Sequence, residues 1–238
     1  SSFVSSLPAA SGVQETKFLG YEDLEADSEV LVIWKNQERI KEAKNNEEVF
    51  FACNQTPFYA EAGGQIGDKG MFASKSSTGT ILDCKKQGKV YIHKAFIEKG
   101  KINTGDVIKM SVEKEKRSAI AIHHSSTHLV HAALREVLGD HVQQKGSLVD
   151  ENKLRFDFSH DKPLTQDEIS NIESIVNKEG LNNLEVKTEL MNIDDALKSG
   201  AMALFGEKYD DEVRVLTMGD NSYSVELCGG THVKRTGD

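Results

Sequence analysis

The stretch EKEKRSAIAIHHSSTHLVHAALREVLGD, residues 113–140, decides how the second half of the chain folds. Apolar residues such as Ile122 and Leu129 recur in it at helical spacing, and no glycine or proline interrupts it before Gly139. This periodicity predicts one long helix, which we place over residues 113–138.

β structure is predicted upstream of this helix. Short runs of β-branched and aromatic residues are separated there by turn clusters such as KSSTG and KGKINTGD. The spacing of these runs predicts a small antiparallel barrel or sandwich. The runs are VLVIW (30–34), VFFAC (49–53), GTILDC (79–84), KVYIHKAF (89–96) and DVIKMSV (106–112).

Helices and a hairpin are predicted downstream. Thr165 and Glu168 in TQDE have the spacing of a capping box and begin a second helix, which we expect to stop at Gly180. A short helix follows near residues 193–199. The segment VRVLTM–GDNS–YSVELC, residues 213–228, has the pattern of a β-hairpin.

Composition excludes several classes of protein. The 238 residues carry a formal net charge of −9, which argues against non-specific nucleic-acid binding but leaves room for a local basic patch. The longest apolar runs are far too short to span a bilayer, so no membrane partner is expected. The three cysteines are an odd number without framework spacing, which favours a reducing compartment, the cytoplasm, and metal or core roles.

Four side chains have the types and spacing of a zinc site. His124 and His128 in HHSSTH are four residues apart, so a helix places both imidazoles on one face. Cys228 and His232 in ELCGGTHV supply the other half of a tetrahedral set if the hairpin end folds against the helix. The two glycines between them permit a tight turn. We therefore predict one bound Zn²⁺.

Neighbouring residues limit the chemistry of this site. Ser125 stands where the metallopeptidase motif HExxH has its glutamate, so peptide hydrolysis is disfavoured, whereas hydrolysis of a more labile ester stays open. His123 and His131 are interpreted as surface or packing histidines, and His131 is also a candidate neighbour of the metal ligands. Four protein ligands are typical of a structural site and three of a catalytic one, so the role of zinc stays open.

The fold class that these elements predict is α+β. A small β-barrel-like N-terminal domain with a glycine-rich loop precedes a zinc-binding α+β domain, in which helices pack on an antiparallel sheet. We expect a linker over residues 1–14, the barrel-like domain over 15–112 and the zinc domain over 113–238.

Several longer segments resemble the alanyl-tRNA synthetase family. HHSSTHLVHAAL, HVQQKGSLVDENKLRFDFSH, GAMALFGEKYDDEVRVL and SVELCGGTHVKRTGD are similar to its editing domain. TPFYAEAGGQIGDKG, residues 56–70, resembles the glycine-rich segment that precedes that domain, and TKFLGYEDLE, residues 16–25, resembles the start of the β-rich domain in bacterial-type enzymes. The resemblance covers residues 16–238 and departs from the family at Asp210, where glycine is frequent.

The resemblance implies an activity and the residues that perform it. It implies hydrolysis of Ser-tRNA(Ala) and Gly-tRNA(Ala), with the acceptor end of tRNA(Ala) and the rest of the synthetase in cis as partners. It implicates Thr127 and Gln144 in recognition and hydrolysis. We expect the Thr127 hydroxyl to bond the serine hydroxyl, and Gln144 to hold the attacking water or the terminal adenosine. Glu61 and Gln65 are expected polar contributors from the glycine-rich loop.

Four basic residues are expected to bind tRNA. Lys234 and Arg235 follow the predicted zinc hairpin, Lys145 adjoins the glutamine at 144, and Arg155 lies in the segment LRFDFSH. Basic side chains at these places suit the phosphates of an acceptor end.

Two alternatives stay open. One is a free-standing editing deacylase, although the lead-in FLGY favours an internal piece of a synthetase, without its class II aminoacylation motifs. The other is a non-catalytic tRNA-binding module, in which zinc only joins the helix to the hairpin.

Overall fold

The runs of β-branched and aromatic residues before residue 113 form strands in a computed structural model, which describes residues 7–203 and 209–238. The chain divides into two units. The first extends to Ala62 and resumes over Ile66–Arg117, and the second comprises Gly63–Gln65 and Ser118–Asp238. The first unit is built of strands and the second of helices and strands, so the predicted α+β class is confirmed. The predicted domain boundaries stay predictions.

Strands occupy most of the first unit. Those that the structure describes are β1 (Lys17–Phe18), β2 (Glu25–Lys35), β3 (Glu38–Ile40), β4 (Glu42–Lys44), β5 (Glu48–Cys53), β6 (Gln55–Thr56), β7 (Gly70–Ala73), β8 (Ser77–Gln87), β9 (Val90–Asn103) and β10 (Val107–Val112). Six of them close into an antiparallel barrel in the order β10–β7–β8–β9–β5–β2, because β10 pairs back to β2. Closure leaves no unpaired sheet edge between these strands.

Alternation along the strands fills the barrel. Inward-facing residues such as Ile33, Phe51, Ile81 and Ile97 are fully buried in one core cluster, as expected for period-two strands. Cys53 and Cys84 belong to the same cluster, and both are free thiols, which agrees with their predicted core role.

A buried ion pair anchors the chain just after the barrel. The Arg117 guanidinium donates to the Asp68 carboxylate, with Nε 3.0 and 3.1 Å from its two oxygens, and to the carbonyls of Gly20 and Pro57. Asp68 also accepts from the Tyr59 amide at 2.8 Å. Both charged groups are thus paired with each other and hydrogen-bonded to the backbone. Neither is left as an unpaired charge in the interior, which would be strongly destabilising.

The remaining elements alternate between helix and strand. They are α1 (Lys114–Leu138), β11 (Gln144–Val149), β12 (Leu154–Phe158), α2 (Gln166–Asn182), β13 (Val186–Asn192), α3 (Ile193–Lys198), β14 (Glu212–Met218) and β15 (Ser224–Leu227). β14 lies between β13 and β15 in an antiparallel sheet, and β11 pairs with β12. Leu129 of α1 packs on Leu216 and Met218 of β14, so helix covers sheet as predicted. None of the described helices has the length and apolar character needed to cross a membrane.

One predicted helix end is wrong. The capping box at the start of α2 is present, with Thr165 Oγ1 accepting from Glu168 N at 3.1 Å and Glu168 Oε1 accepting from Thr165 N at 2.9 Å. The helix does not stop at Gly180 but continues to Asn182, and it ends at Asn183 with φ of 50°. Asparagine tolerates this left-handed conformation well enough to serve as the cap.

Strands β11, β12 and β13 have no counterpart among the predicted elements. Their sequences, QKGSLV, LRFDF and VKTELMN, mix polar and apolar residues on half-exposed strands, so no apolar run marks them. Two predictions fall partly outside the described residues. These are residues 1–6 of the linker predicted over 1–14, and residues 204–208 of the segment GAMALFGEKYDDEVRVL.

A buried histidine makes the barrel sensitive to pH. His93 Nδ1 lies 3.1 Å from the Phe51 carbonyl, which can only accept, so Nε2 accepts from Thr56 Oγ1 at 2.8 Å. Burial lowers the pKa of His93 to about 4, and the bond to the Phe51 carbonyl opposes this only in part.

We therefore expect the unfolding free energy of the barrel to fall as pH is lowered from 6.5 towards 4, by up to about 3 kcal/mol, because only the unfolded state takes up the proton in this range. Urea unfolding followed by the fluorescence of Trp34, the single tryptophan, measures it. The variant His93→Gln should lack this part of the slope. Identical slopes in both proteins would contradict the assignment.

Candidate metal centre

One face of α1 carries a row of buried polar side chains. His128 lies four residues after His124 and His131 three residues after His128, which places these three above one another along the helix, and Thr127 lies three residues after His124 and four before His131. Each is at most 5 % exposed. Buried histidine and threonine side chains need hydrogen-bond partners or a ligand. This helix face is therefore a candidate functional site and not only a packing surface.

The strand opposite this face supplies two more groups. Glu226 and Cys228 are two residues apart at the end of β15, so an extended chain points both to the same side. Beyond them Gly230 has no room for a side chain, because a Cβ there would overlap the His124 ring and lie 2.8 Å from Gln65 Oε1. Neither Gly229 nor Gly230 has a positive φ, so the requirement at 230 is close approach and not turn geometry.

The four predicted metal ligands come together. Ligand atoms of His124, His128, Cys228 and His232 all lie within 4.8 Å of one another. Cys228 Sγ is 3.4 Å from His124 Nε2 and 3.2 Å from His232 Nε2. The first three residues are buried and His232 is half-buried.

Each imidazole is held by its outer nitrogen. His124 Nδ1 lies 2.7 Å from Gln65 Oε1, and His128 Nδ1 lies 2.7 Å from Glu226 Oε2. His232 Nδ1 lies 3.2 Å from the Ser125 hydroxyl. Because the outer nitrogens donate to these oxygens, all three Nε2 atoms are on the inner side, where each can bind an ion once it carries no proton.

This donor set fits a zinc ion. Three imidazole nitrogens and one sulfur are ligands that zinc prefers, and a tetrahedral ion separates sulfur from nitrogen by about 3.6 Å, close to the distances above. His128 Nε2 is buried and has no hydrogen-bond partner among the described residues, which leaves this nitrogen available to an ion. The chain can therefore hold a metal at this place.

Electrostatics favour a cation at the centre of the cluster. Burial alone would raise the pKa of the Cys228 thiol, but the surrounding imidazoles of His124, His232 and His128 outweigh it and hold this pKa well below its usual range. The thiolate is the form that binds metal. Burial lowers the pKa of His232 to about 4, which keeps it neutral. Burial also disfavours charge on His128, yet Glu226 and Cys228 raise its pKa to about 10, so a metal ion that binds there must displace the proton on Nε2.

Glu226 joins two histidines. Its Oε2 accepts from His128 and its Oε1 accepts from His131 Nδ1 at 2.8 Å. Burial would raise the pKa of Glu226, but the two imidazoles lower it to about 2. The carboxylate is therefore ionised, can only accept, and fixes the proton of each imidazole on Nδ1.

Gln65, an expected polar contributor from the glycine-rich loop, is fully buried beside the ligands. Gln65 Oε1 also accepts from the Thr231 amide at 3.0 Å, and Nε2 lies 2.7 Å from Thr231 Oγ1. A parallel bridge to Val149 and the bond from Val149 N to Gly64 O at 2.8 Å hold this segment in the second unit.

The two predicted catalytic residues lie on different elements of the second unit. Thr127 Oγ1 donates to the His124 carbonyl at 2.6 Å. Gln144 begins β11, is half-buried, and lines a cavity of about 200 Å³ with His131 and Arg135.

The predicted tRNA-binding residues are spread over the surface. Lys145, Arg155, Lys234 and Arg235 are exposed, and Arg155 Nε lies 3.2 Å from Asp157. Arg235 also donates to the Asn183 carbonyl. Glu61 belongs to the first unit and pairs with Lys85 Nζ at 2.9 Å.

The sequence analysis did not identify Glu226, whereas it named His131 both as a surface or packing histidine and as a candidate neighbour of the metal ligands. Glu226 has one usable signal, since it stands two residues before Cys228 on a predicted strand and must share its face. His131 is not at the surface but is 2 % exposed and bound to that carboxylate. His123, by contrast, is half-buried with Nδ1 2.8 Å from the Asp150 carbonyl.

Comparison with known proteins identifies the class. Residues 4–116 match the model described as "tRNA synthetases class II (A)", and residues 213–238 match the "Threonyl and Alanyl tRNA synthetase second additional domain". The chain is thus related to class II tRNA synthetases, and the metal cluster's Cys228 and His232 lie in the second match.

Curated relatives narrow the class to one family. The chain is 49% identical over 233 residues to the alanine–tRNA ligase of Rhodopseudomonas palustris and 50% identical over 224 residues to that of Ruthia magnifica subsp. Calyptogena magnifica. Each match covers 94% of this chain and 26% of the relative, so the chain spans about a quarter of their length. The chain belongs to the alanine–tRNA ligase family.

Replacing the shared carboxylate should weaken metal binding. In Glu226→Gln the side chain keeps one acceptor oxygen and turns an amide donor towards the second imidazole, so one histidine loses its orientation. We expect zinc affinity to fall about 10- to 100-fold, measured by competition with a chelator. Glu212→Gln, an exposed carboxylate on β14, is the matched control. Equal affinities would show that Glu226 does not support the ligands.

A methyl group at position 230 should also weaken metal binding. Gly230→Ala places a Cβ against the His124 ring, so the ring must move away from Cys228. We expect at least about a 10-fold loss of zinc affinity in the same titration. Gly180→Ala is the control, because its Cβ meets only the Thr236 carbonyl at 3.6 Å. Unchanged affinity in Gly230→Ala would mean that the ring tolerates displacement.

Proposed function

We propose that this chain hydrolyses the ester bond of tRNA(Ala) mischarged with serine or glycine and spares Ala-tRNA(Ala). The observation that carries the proposal is the buried cluster of His124, His128, Cys228 and His232, in a chain that belongs to the alanine–tRNA ligase family. The proposal includes the acceptor end of tRNA(Ala) as partner, together with the rest of a ligase in cis.

Alanine selection has a physical need for such an activity. A pocket for alanine cannot exclude glycine by size, and an apolar pocket rejects a substrate with an added hydroxyl by only about 100-fold. A second site that binds the hydroxyl directly supplies the missing discrimination, because it removes the product after the first selection.

Zinc would be held by the three Nε2 atoms and the thiolate. A zinc ion in such a site polarises an ester carbonyl or lowers the pKa of water. The chain's own residues supply orientation, since Gln65, Glu226 and Ser125 fix the three imidazoles, and burial of the cluster excludes bulk solvent.

Thr127 is suited to recognise serine. Its hydroxyl proton is committed to the His124 carbonyl, so the oxygen offers only lone pairs. The serine hydroxyl can donate to it, whereas glycine and alanine have no such donor. Thr127 therefore distinguishes serine by a hydrogen bond and does not contribute to removal of glycine.

Gln144 is suited to hold a small polar group. Its amide offers two donors and an acceptor oxygen from the wall of the cavity beside α1. In the proposed reaction it holds the attacking water or the terminal adenosine. Lys145, Arg155, Lys234 and Arg235 would bind phosphates of the acceptor end. Three free cysteines support a cytoplasmic location.

A second candidate function is a tRNA-binding module without catalysis. Four protein ligands around one ion are typical of a structural site, and the cluster joins α1 to the segment after β15. In this case zinc removal would unfold the second unit, and no ester hydrolysis would be observed.

The decisive experiment compares three charged tRNAs. With zinc-loaded chain, we expect Ser-tRNA(Ala) and Gly-tRNA(Ala) to be deacylated well above the spontaneous rate and Ala-tRNA(Ala) to persist. In Thr127→Val the rate with serine should fall about 10-fold while the rate with glycine stays unchanged, because one hydrogen bond is lost. Loss of all three esters at one rate would overturn the specificity. Loss of none from folded, zinc-loaded chain would favour the binding module.

A further inference from the structure

One ring nitrogen of His131, Nε2, has no role in the metal cluster described above. His131 Nδ1 lies 2.8 Å from the carboxylate oxygen Glu226 Oε1 and donates to it, so the other ring nitrogen, Nε2, is an acceptor. The residue is 2 % exposed, and Nε2 has no hydrogen-bond partner among residues 7–203 and 209–238. A buried acceptor without a donor is costly, and such groups in native proteins have a function or a bound ligand.

A cavity lies beside this nitrogen's ring. His131 lines it together with Arg135, Gln143, Gln144 and Met202, and its volume is about 200 Å³. Several water molecules occupy that volume, at about 30 Å³ each, so a group of the size of a sugar ring fits. Besides His131, the lining residues include two glutamines and an arginine, which carry amide and guanidinium groups.

We propose that His131 Nε2 accepts a hydrogen bond from the free ribose hydroxyl beside the ester, on the terminal nucleoside of the charged tRNA. This inference rests on the proposed function, and it assigns the cavity between α1 and β11 to that ribose. His131 is then a binding residue for the leaving group, distinct from the four metal ligands.

The charges of the cavity select a hydroxyl over an amine. An acceptor nitrogen needs a donor, and a substrate with an esterified ribose offers either a hydroxyl or the amino acid's ammonium group. The Arg135 guanidinium lines the same cavity, so a second positive charge is disfavoured there. A neutral hydroxyl meets no such repulsion.

Orientation of the ribose bears directly on the reaction. In hydrolysis water adds to the ester carbonyl, the bond from carbonyl carbon to ribose oxygen breaks, and that oxygen takes a proton. A hydrogen bond to the adjacent hydroxyl holds the sugar so that this bond is presented in one direction. His131 takes no proton in this scheme.

The test compares two substrates and three proteins at saturating zinc. The substrates are Ser-tRNA(Ala) with its ester on the 3′ oxygen, ending in either adenosine or 2′-deoxyadenosine. The proteins are the unchanged chain, His131→Phe, and the control His123→Phe on the same helix. The phenyl ring keeps the shape that faces Phe156, whose ring centroid is 5.2 Å away, and removes the acceptor.

We expect the unchanged chain and His123→Phe to hydrolyse the deoxy substrate about 10-fold more slowly than the ribose substrate. We expect His131→Phe to lose about the same factor with the ribose substrate, and to show no further loss with the deoxy substrate. This non-additivity would not arise from a merely structural role. Additive losses, or an unchanged rate in His131→Phe, would overturn the proposal and leave the cavity to water.

The unchanged chain also gives a test that needs no variant, since equal rates for the two substrates overturn the inference. If it hydrolyses neither substrate, the deacylase proposal fails, and binding decides the inference. An uncharged acceptor stem of tRNA(Ala) should then bind about 10-fold more tightly with terminal adenosine than with 2′-deoxyadenosine. Equal binding would sink the inference as well.

Discussion

One buried carboxylate determines how the helix and the strand form a site. Glu226 accepts from two imidazoles of α1 at 2.7 and 2.8 Å, and because it is ionised and enclosed it must keep both donors. It therefore sets the proton of His128 and of His131 on Nδ1. Nε2 of His128 then faces the metal cluster, and the His131 ring lies beside a cavity. One carboxylate therefore orients two histidines that belong to two different parts of the site.

This arrangement depends on two spacings that match. On α1, positions 124, 128 and 131 recur at the helical repeat, and positions 226, on β15, and 228, just after it, recur at the strand repeat. When the helix packs on the sheet through Leu129 and Leu216, both rows meet along one line. The apolar contact thus positions the polar site, and a shift of one residue in the strand would turn Glu226 and Cys228 away from the helix.

The sequence predicted the parts of the site that have a local period. The helix, five of the six barrel strands and the hairpin follow from apolar spacing, whereas β7 was not predicted. The grouping of the ligands His124 and Cys228 follows from their residue types. Gln65 could not be predicted in its observed place, because it lies far from its partners in sequence and a buried glutamine has no periodic signal. The end of α2 was predicted wrongly at Gly180. A single sequence does not distinguish a glycine inside a helix from a glycine just beyond its end.

The support of the ligands bears on whether the metal would be structural or catalytic. His124 and His128 are buried, and each is fixed by a short bond of 2.7 Å to an amide or a carboxylate. His232 is half-buried and follows the glycine pair, and its outer partner within the described part of the chain is the Ser125 hydroxyl at 3.2 Å. A ligand with a weaker outer hydrogen bond is held less firmly in its orientation towards the metal. If the site opens a position for substrate, His232 is the residue that leaves, and a closed site requires that it stay.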